Sequence, residues 1–248
     1  MNNYDTKEYD GVKILYEDNH VLVVVKPQNM PTQADESKDA DLLSVLKAYL
    51  KETYRKEGEA YLGMVHRLDR PTGGVMVFAK TSKAAARLSE AIADGELDKI
   101  YLAVVYDTPK EKQAVLTNYL KKDSSTNNVR VVPDTTDGAK YAELTYKVLQ
   151  SIGKLSLLGV RLVTGRSHQI RVQLMHIGHP IAGDLRYGGN RPKARCNLAL
   201  WAAELRFKHP VKDETMVFKV YPPEDEMPWN YFNLEPVFTL SVKNMADN

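Results

Sequence analysis

The densest concentration of reactive side chains is Met64-Val65-His66-Arg67-Leu68-Asp69-Arg70-Pro71-Thr72-Gly73-Gly74. An aspartate between two arginines is favoured in its ionised form. Held in a loop, such a carboxylate can serve as a nucleophile or as a base. The same pattern suits a turn in which the Asp69 side chain caps backbone amides ahead of Pro71, and the residues alone leave both readings open.

A second cluster, Thr164-Gly165-Arg166-Ser167-His168-Gln169-Ile170-Arg171, reads as a tight turn feeding a helix N-terminus, with Ser167 as the cap. Free amides, the positive end of the helix dipole and charge-assisted arginine donors suit a phosphate there. Capping combined with surface charge produces the same pattern. Tyr101 lies in a mostly apolar stretch and reads as a core tyrosine, although a phenol so placed can stack on a base or move a proton. His168, His176 and His179 have neither an acidic cluster nor a second cysteine at ligand spacing, so no metal site is expected. Neither G-x-x-x-x-G-K-[ST] nor G-x-G-x-x-G occurs, so no nucleotide cofactor is expected.

The elements that must position these residues follow from hydrophobic periodicity. Val12 to Tyr16 and Val21 to Val25 read as strands around a polar turn. Leu43, Leu46, Leu50 and Tyr54 recur at helical spacing from Asp41 onward, and Ala85, Leu88 and Ile92 mark a second helix behind Thr81 or Ser82. Gly63 to Gly74 is punctuated by Pro71 and Gly73-Gly74 and reads as a loop, followed by a buried strand from Val75 to Ala79. Tyr101–Val105, Ala114–Leu120, Val129–Val132, Ala139–Gln150 and Leu155–Val163 read as successive strands, which implies antiparallel pairing. A third helix carries Ile170, Leu174 and Ile177 on one face and stops at Gly178 and Pro180. Leu198–Phe207 and Met216–Val220 supply late strands. The expectation is a single α+β domain over 1–248, with its core at about 11–222, built on a large mixed sheet in two halves around a cleft.

With 248 residues, 43% hydrophobic and 27% charged, the chain can bury a sizeable core. The single cysteine, Cys196, excludes an internal disulfide and fits a cytoplasmic setting. The polar start lacks the basic and apolar regions of a secretory signal, and the longest aliphatic run is too short to span a bilayer, so no membrane partner is expected. The net charge of +2 is uneven: between positions 161 and 195, Arg161, Arg166, Arg171, Arg186, Arg191, Lys193 and Arg195 face the single acid Asp184. A basic stretch of this kind suits a nucleic-acid backbone.

Taken in order, these strings resemble the RluA family of RNA pseudouridine synthases. The resemblance rests on Val23-Val24-Val25-Lys26-Pro27, His66-Arg67-Leu68-Asp69, Phe78-Ala79-Lys80, Lys99-Ile100-Tyr101-Leu102-Ala103, Thr164 to Arg171, Gly178-His179-Pro180-Ile181-Ala182-Gly183-Asp184 and Tyr187-Gly188. It implies the pseudouridine synthase fold, a large, mostly antiparallel mixed sheet flanked by helices with a central RNA-binding cleft. It also implies a cofactor-free isomerase acting on rRNA or tRNA. By that resemblance Asp69 is the catalytic carboxylate, Tyr101 packs on the target base, Arg171 pairs with Asp69, and Arg67 fills the space left by a flipped nucleotide. His66, Arg166 and His168 would line the RNA side of the site.

This sequence departs from the family pattern at Gly73, where serine is frequent, and at Tyr106-Asp107, where the family carries a glycine after the Tyr101 strand. The residues before the first matching strand leave no room for the S4 RNA-binding domain of many relatives, and a monomer is expected. Two rival readings are an RNA-binding factor without catalysis and an RNA N-glycosidase that releases free uracil.

Overall fold

The computed structural model describes residues 6–191 and 195–235. In chain order the elements are β1 (Lys7–Tyr9), β2 (Val12–Glu17), β3 (Val21–Lys26), α1 (Leu42–Thr53), β4 (Gly63–Met64), β5 (Gly73–Ala79), α2 (Ser82–Ala93), β6 (Asp98–Tyr106), β7 (Gln113–Lys122), β8 (Val129–Val132), β9 (Lys140–Ile152), β10 (Leu155–Leu162), α3 (Gln169–His176), β11 (Leu200–Lys208) and β12 (Thr215–Lys219). A short 3-10 turn follows at Trp229–Tyr231. The strands form one large, mostly antiparallel mixed sheet, as expected. The chain divides into two compact units, Met1–Asp98 with Ala202–Val220 and Lys99–Trp201 with Tyr221–Asn248.

In the first unit the order is β1-β2-β3-β5, with β4 also pairing β5 and β12 pairing β11. The turn between β2 and β3 is set by Asp18, whose carboxylate accepts the amides of His20 (2.7 Å) and Val21 (2.9 Å). The core joins Val21, Val23, Val75 and Val77 of the sheet to Ala84 and Leu88 of α2 and to Phe207 and Phe218. Thr81 caps α2 by accepting the Ala84 amide. Asp41 caps α1 through the Ser44 amide, but the buried face is Leu42, Val45, Leu46, Tyr49 and Leu50. It is therefore rotated from the expected stripe: Tyr54 is exposed, and its hydroxyl donates to Glu17. Gly74 has φ +123°, and a Cβ there would lie 2.3 Å from the Ala202 carbonyl oxygen, so β5 can carry only glycine at that position.

In the second unit the order is β6-β10-β9-β7-β8. Leu120, Val129 and Ala142 pack against Val172 of α3 and against Tyr187. The expected Ser167 cap is not formed. The N-cap is His168, in the left-handed conformation at φ 52° and without a side-chain cap bond. Instead the Gln169 side chain closes the turn, accepting from Thr164 Oγ1 (2.8 Å) and the Arg166 amide (3.0 Å) while its Nε2 donates to the Glu143 carbonyl (3.0 Å). Asp107, where the family pattern has glycine, keeps a left-handed φ of 59°, a conformation that aspartate tolerates better than most side chains. No helix among the described residues is long and apolar enough to cross a membrane.

Candidate active site

His66, Arg67 and Asp69 lie in the first unit, on the segment between β4 and β5; Tyr101, Arg166, His168 and Arg171 lie in the second. The Asp69 segment is irregular in backbone conformation yet anchored residue by residue. The Leu68 carbonyl accepts from Thr32 Oγ1 at 2.8 Å and the Asp69 carbonyl from the Thr72 amide at 2.9 Å. The Arg70 carbonyl accepts from Lys26 Nζ at 3.0 Å, and the Pro71 carbonyl from Gln28 Nε2 at 3.1 Å. Four consecutive carbonyls thus have fixed partners, which holds a carboxylate in place as a reactive group requires.

Lys26 is fully buried, and its nitrogen also donates to the carbonyls of Pro27 (2.9 Å) and Met30 (2.7 Å). Burial draws its pKa down to about 7, against the pull of the nearby Asp69 carboxylate. Three carbonyl acceptors match the three N–H donors of an ammonium, and a neutral amine would turn a lone pair toward an oxygen. The geometry therefore favours the charged form beside Asp69.

The arginines around Asp69 behave differently from one another. Arg70 turns its guanidinium to Asp35 (3.6 Å) and to Asp39, and donates to Ser37 Oγ (2.9 Å) and the Asn29 carbonyl (3.1 Å). Arg67 is exposed. His66 accepts the Val77 amide on Nε2 at 3.1 Å, so its ring continues the β4–β5 ladder where the backbone of the loop departs from it.

In the second unit Tyr101 is buried on β6 opposite Val160 of β10. Arg171 forms a bidentate pair with Asp184, Nε to Oδ2 at 2.8 Å and a terminal nitrogen to Oδ1 at 2.7 Å. Asp184 Oδ1 also accepts the amides of Arg186 and Tyr187, both at 2.9 Å. Burial alone would push the Asp184 carboxyl up, but the Arg171 bonds and charge, with the two amides, outweigh it and hold it below the usual carboxylate range. The Arg171 guanidinium lies 5.0 Å above the Tyr187 ring. The Tyr187 oxygen accepts the Val129 amide at 2.9 Å and shares a 2.7 Å hydrogen bond with His168 Nδ1. Arg166 donates to the Tyr141 carbonyl at 2.9 Å and is exposed.

The basic stretch is less available than its composition suggests. Arg171 pairs with Asp184, Arg191 with Asp107 (2.5 Å), and Arg186 donates to the carbonyls of Thr126 and Asn127. Lys193 lies outside the described residues. Among the described residues no group of three or more His, Cys, Asp or Glu side chains is arranged to hold a metal.

The family model for RNA pseudouridylate synthases matches residues 20–176, a span that includes Asp69, Tyr101 and Arg171. The chain belongs to this family. Members of the RNA pseudouridylate synthase family are isomerases that act on uridine in RNA. An uncharacterized RNA pseudouridine synthase of Bacillus subtilis (strain 168) is 36% identical over 221 residues, covering 88% of this chain and 71% of that protein. Ribosomal large subunit pseudouridine synthase C of Vibrio parahaemolyticus is 32% identical over 209 residues, 82% of this chain. This chain spans 63% of that relative's length. In fold, the chain resembles human RNA pseudouridylate synthase domain containing 4, with a TM-score of 0.71 at 24% identity over 85% of this chain and 88% of that one.

Sequence reasoning missed Lys26, Thr32 and Gln28, and it gave Asp184 no role. A lysine closing an aliphatic strand and a lone acid within a basic stretch were the available signals.

Proposed function

We propose that this protein converts specific uridines in RNA to pseudouridine, with Asp69 as the catalytic carboxylate. The observation that carries this reading is the four-carbonyl anchorage of the Asp69 loop, which fixes a carboxylate within the motif that the family model spans. In the reaction the bond from C1′ of ribose to N1 of uracil breaks, the base turns over, and C1′ joins C5. The C5 proton departs and N1 gains one, so atoms balance without electron transfer. Asp69 attacks the sugar or removes a proton from it. Tyr101 packs on the base, and Arg171 holds the site's electrostatics. Arg67, Arg166, His66 and His168 form the RNA side, and Arg67 takes the space of the extruded nucleotide. Extrusion costs a few kcal/mol and is least costly in loops and distorted helices. The names of the relatives favour ribosomal RNA as the substrate, and a monomeric, cytoplasmic enzyme without metal or nucleotide cofactor completes the reading.

The test is incubation of the purified protein with large-subunit rRNA fragments, followed by mapping of pseudouridine and assay of free uracil. Pseudouridine formed by the native protein and lost in Asp69→Asn supports the reading. Released uracil would make the protein a glycosidase, and RNA binding without either product would make it a non-catalytic factor.

A further inference from the structure

The second unit carries a solvent-facing sheet surface that the catalytic reading does not use. Strand register places Tyr101, Val160, Tyr146 and Ala114 in line on one face of β6, β10, β9 and β7. Alternation then turns Tyr119 and Tyr141 to the opposite face. These two are direct cross-strand partners on β7 and β9, 36% and 40% exposed, with ring centroids 5.8 Å apart in an edge-to-face arrangement. The Tyr141 hydroxyl donates to Glu143, the acid on this face, which fixes the ring's direction.

Cations bracket the tyrosines. Two residues from Tyr119 along β7, Lys121 stands directly opposite Arg130 of β8. Farther along the same face lie Arg161 of β10, opposite Thr145, and Lys147 of β9. Like charges placed directly across a ladder destabilise a sheet, and neither Lys121 nor Arg130 has an acidic partner among the described residues. An ordinary solvated face would interleave the signs. Here the arrangement is two rigid aromatic faces with paired cations about 7 Å away along the strand, a spacing that suits one nucleotide step of a single strand.

We propose that this face holds a single-stranded stretch of the RNA substrate, with bases stacked on Tyr119 and Tyr141 and phosphates on Lys121 and Arg130. Stacking on aromatic side chains tolerates any base, whereas the cations track the backbone. The face therefore contributes affinity for RNA rather than choice of uridine. The proposal rests on the RNA-modifying reading but not on the identity of the catalytic group.

The test is fluorescence anisotropy with a labelled single-stranded oligoribonucleotide of about ten nucleotides, on the full chain in the Asp69→Asn background. Tyr119→Ala with Tyr141→Ala is expected to raise Kd by about tenfold or more, and the Tyr→Phe pair to retain binding. Lys121→Gln with Arg130→Gln is expected to reduce the salt dependence of binding, by a log–log slope of about 1.4, at about 0.7 for each phosphate contact to a single strand. In the otherwise native enzyme, the alanine pair should raise KM for a long RNA while kcat at saturation is preserved. Unchanged anisotropy in both pairs would overturn the proposal. Should the alanine pair fail to fold, the salt slope of the Lys121–Arg130 pair decides. Loss of pseudouridine formation in Asp69→Asn is read separately, so the two conclusions fail independently.

Discussion

The Lys26 ammonium lies 3.0 Å from the carbonyl oxygen of Arg70, the residue next to Asp69, and 2.7 Å from that of Met30. One side chain thus ties the end of β3 to the loop that carries the carboxylate. Lys26→Met removes every donor and leaves three inward-facing carbonyls without their partner. Stability is expected to fall by roughly 3 kcal/mol, at about 1 kcal/mol or more for each orphaned acceptor. Chemical denaturation measures this, and an unchanged midpoint would contradict the anchoring role. Turnover should fall further than stability explains, because the loop loses its registry with β3.

Arg171 and Asp184 make the corresponding pair in the second unit, both largely buried. Asp184→Ala removes two charge-assisted hydrogen bonds from the buried guanidinium and is expected to cost about 3 kcal/mol. The pH dependence follows from the depressed Asp184 carboxyl. An unfolded aspartate titrates near 3.9, and the folded one below that, so the unfolded chain binds more protons as pH falls. The pair's contribution is complete above about pH 4 and is lost as pH drops through the folded value. Acid unfolding of Asp184→Asn should therefore be shallower than that of the native chain, and parallel acid limbs would remove Asp184 from this role.

How far the sequence carries these conclusions differs between strands and site. Val12–Glu17, Val21–Lys26, Val129–Val132 and Leu155–Leu162 were legible because aliphatic runs bounded by polar turns have few alternatives. The two-residue β4, paired with Phe78 and Ala79, was not, since two residues are too few to show an alternating pattern. In α1 the spacing located the helix but misplaced the stripe, because Leu42, Val45 and Tyr49 compete with Leu43 and Tyr54 for the buried side and only packing decides. The site motifs marked Asp69 and Arg171. The Arg171–Asp184 pairing and the carbonyl partners of Lys26 stayed hidden for different reasons: Asp184 is thirteen positions from Arg171, across a turn, and a backbone carbonyl is present at every residue.

Gly74 sits at the start of the strand that follows the Asp69 loop, with a backbone conformation that only glycine adopts readily and with the Ala202 backbone against it. Gly74→Ala combines left-handed strain with a backbone clash and is expected to cost roughly 3 kcal/mol or more. Gly95→Ala is a useful control, since its φ is also positive, at +75°, but a Cβ there meets nothing within 4 Å. The thermal midpoint should fall further for Gly74→Ala than for Gly95→Ala, and equal losses would remove the close approach to Ala202 from the account.

His66 separates a role in RNA contact from a role in holding the loop. Its Nε2 accepts the Val77 amide at 3.1 Å, so His66→Ala orphans an amide of β5 and frees the loop three residues before Asp69. Loop loosening predicts a fall in kcat with RNA affinity kept within a few-fold, because misplacing a reacting group by about 1 Å costs on the order of a hundredfold in rate. Direct RNA contact predicts the reverse, a weaker Kd with kcat maintained at saturation. His66→Gln offers a side-chain carbonyl that can accept the same amide, and partial recovery of kcat in that variant identifies the Val77 bond as the cause. Single-turnover kinetics alongside equilibrium RNA binding decides between the two, and a pure affinity defect in His66→Ala would move His66 to the RNA-contacting side of the site.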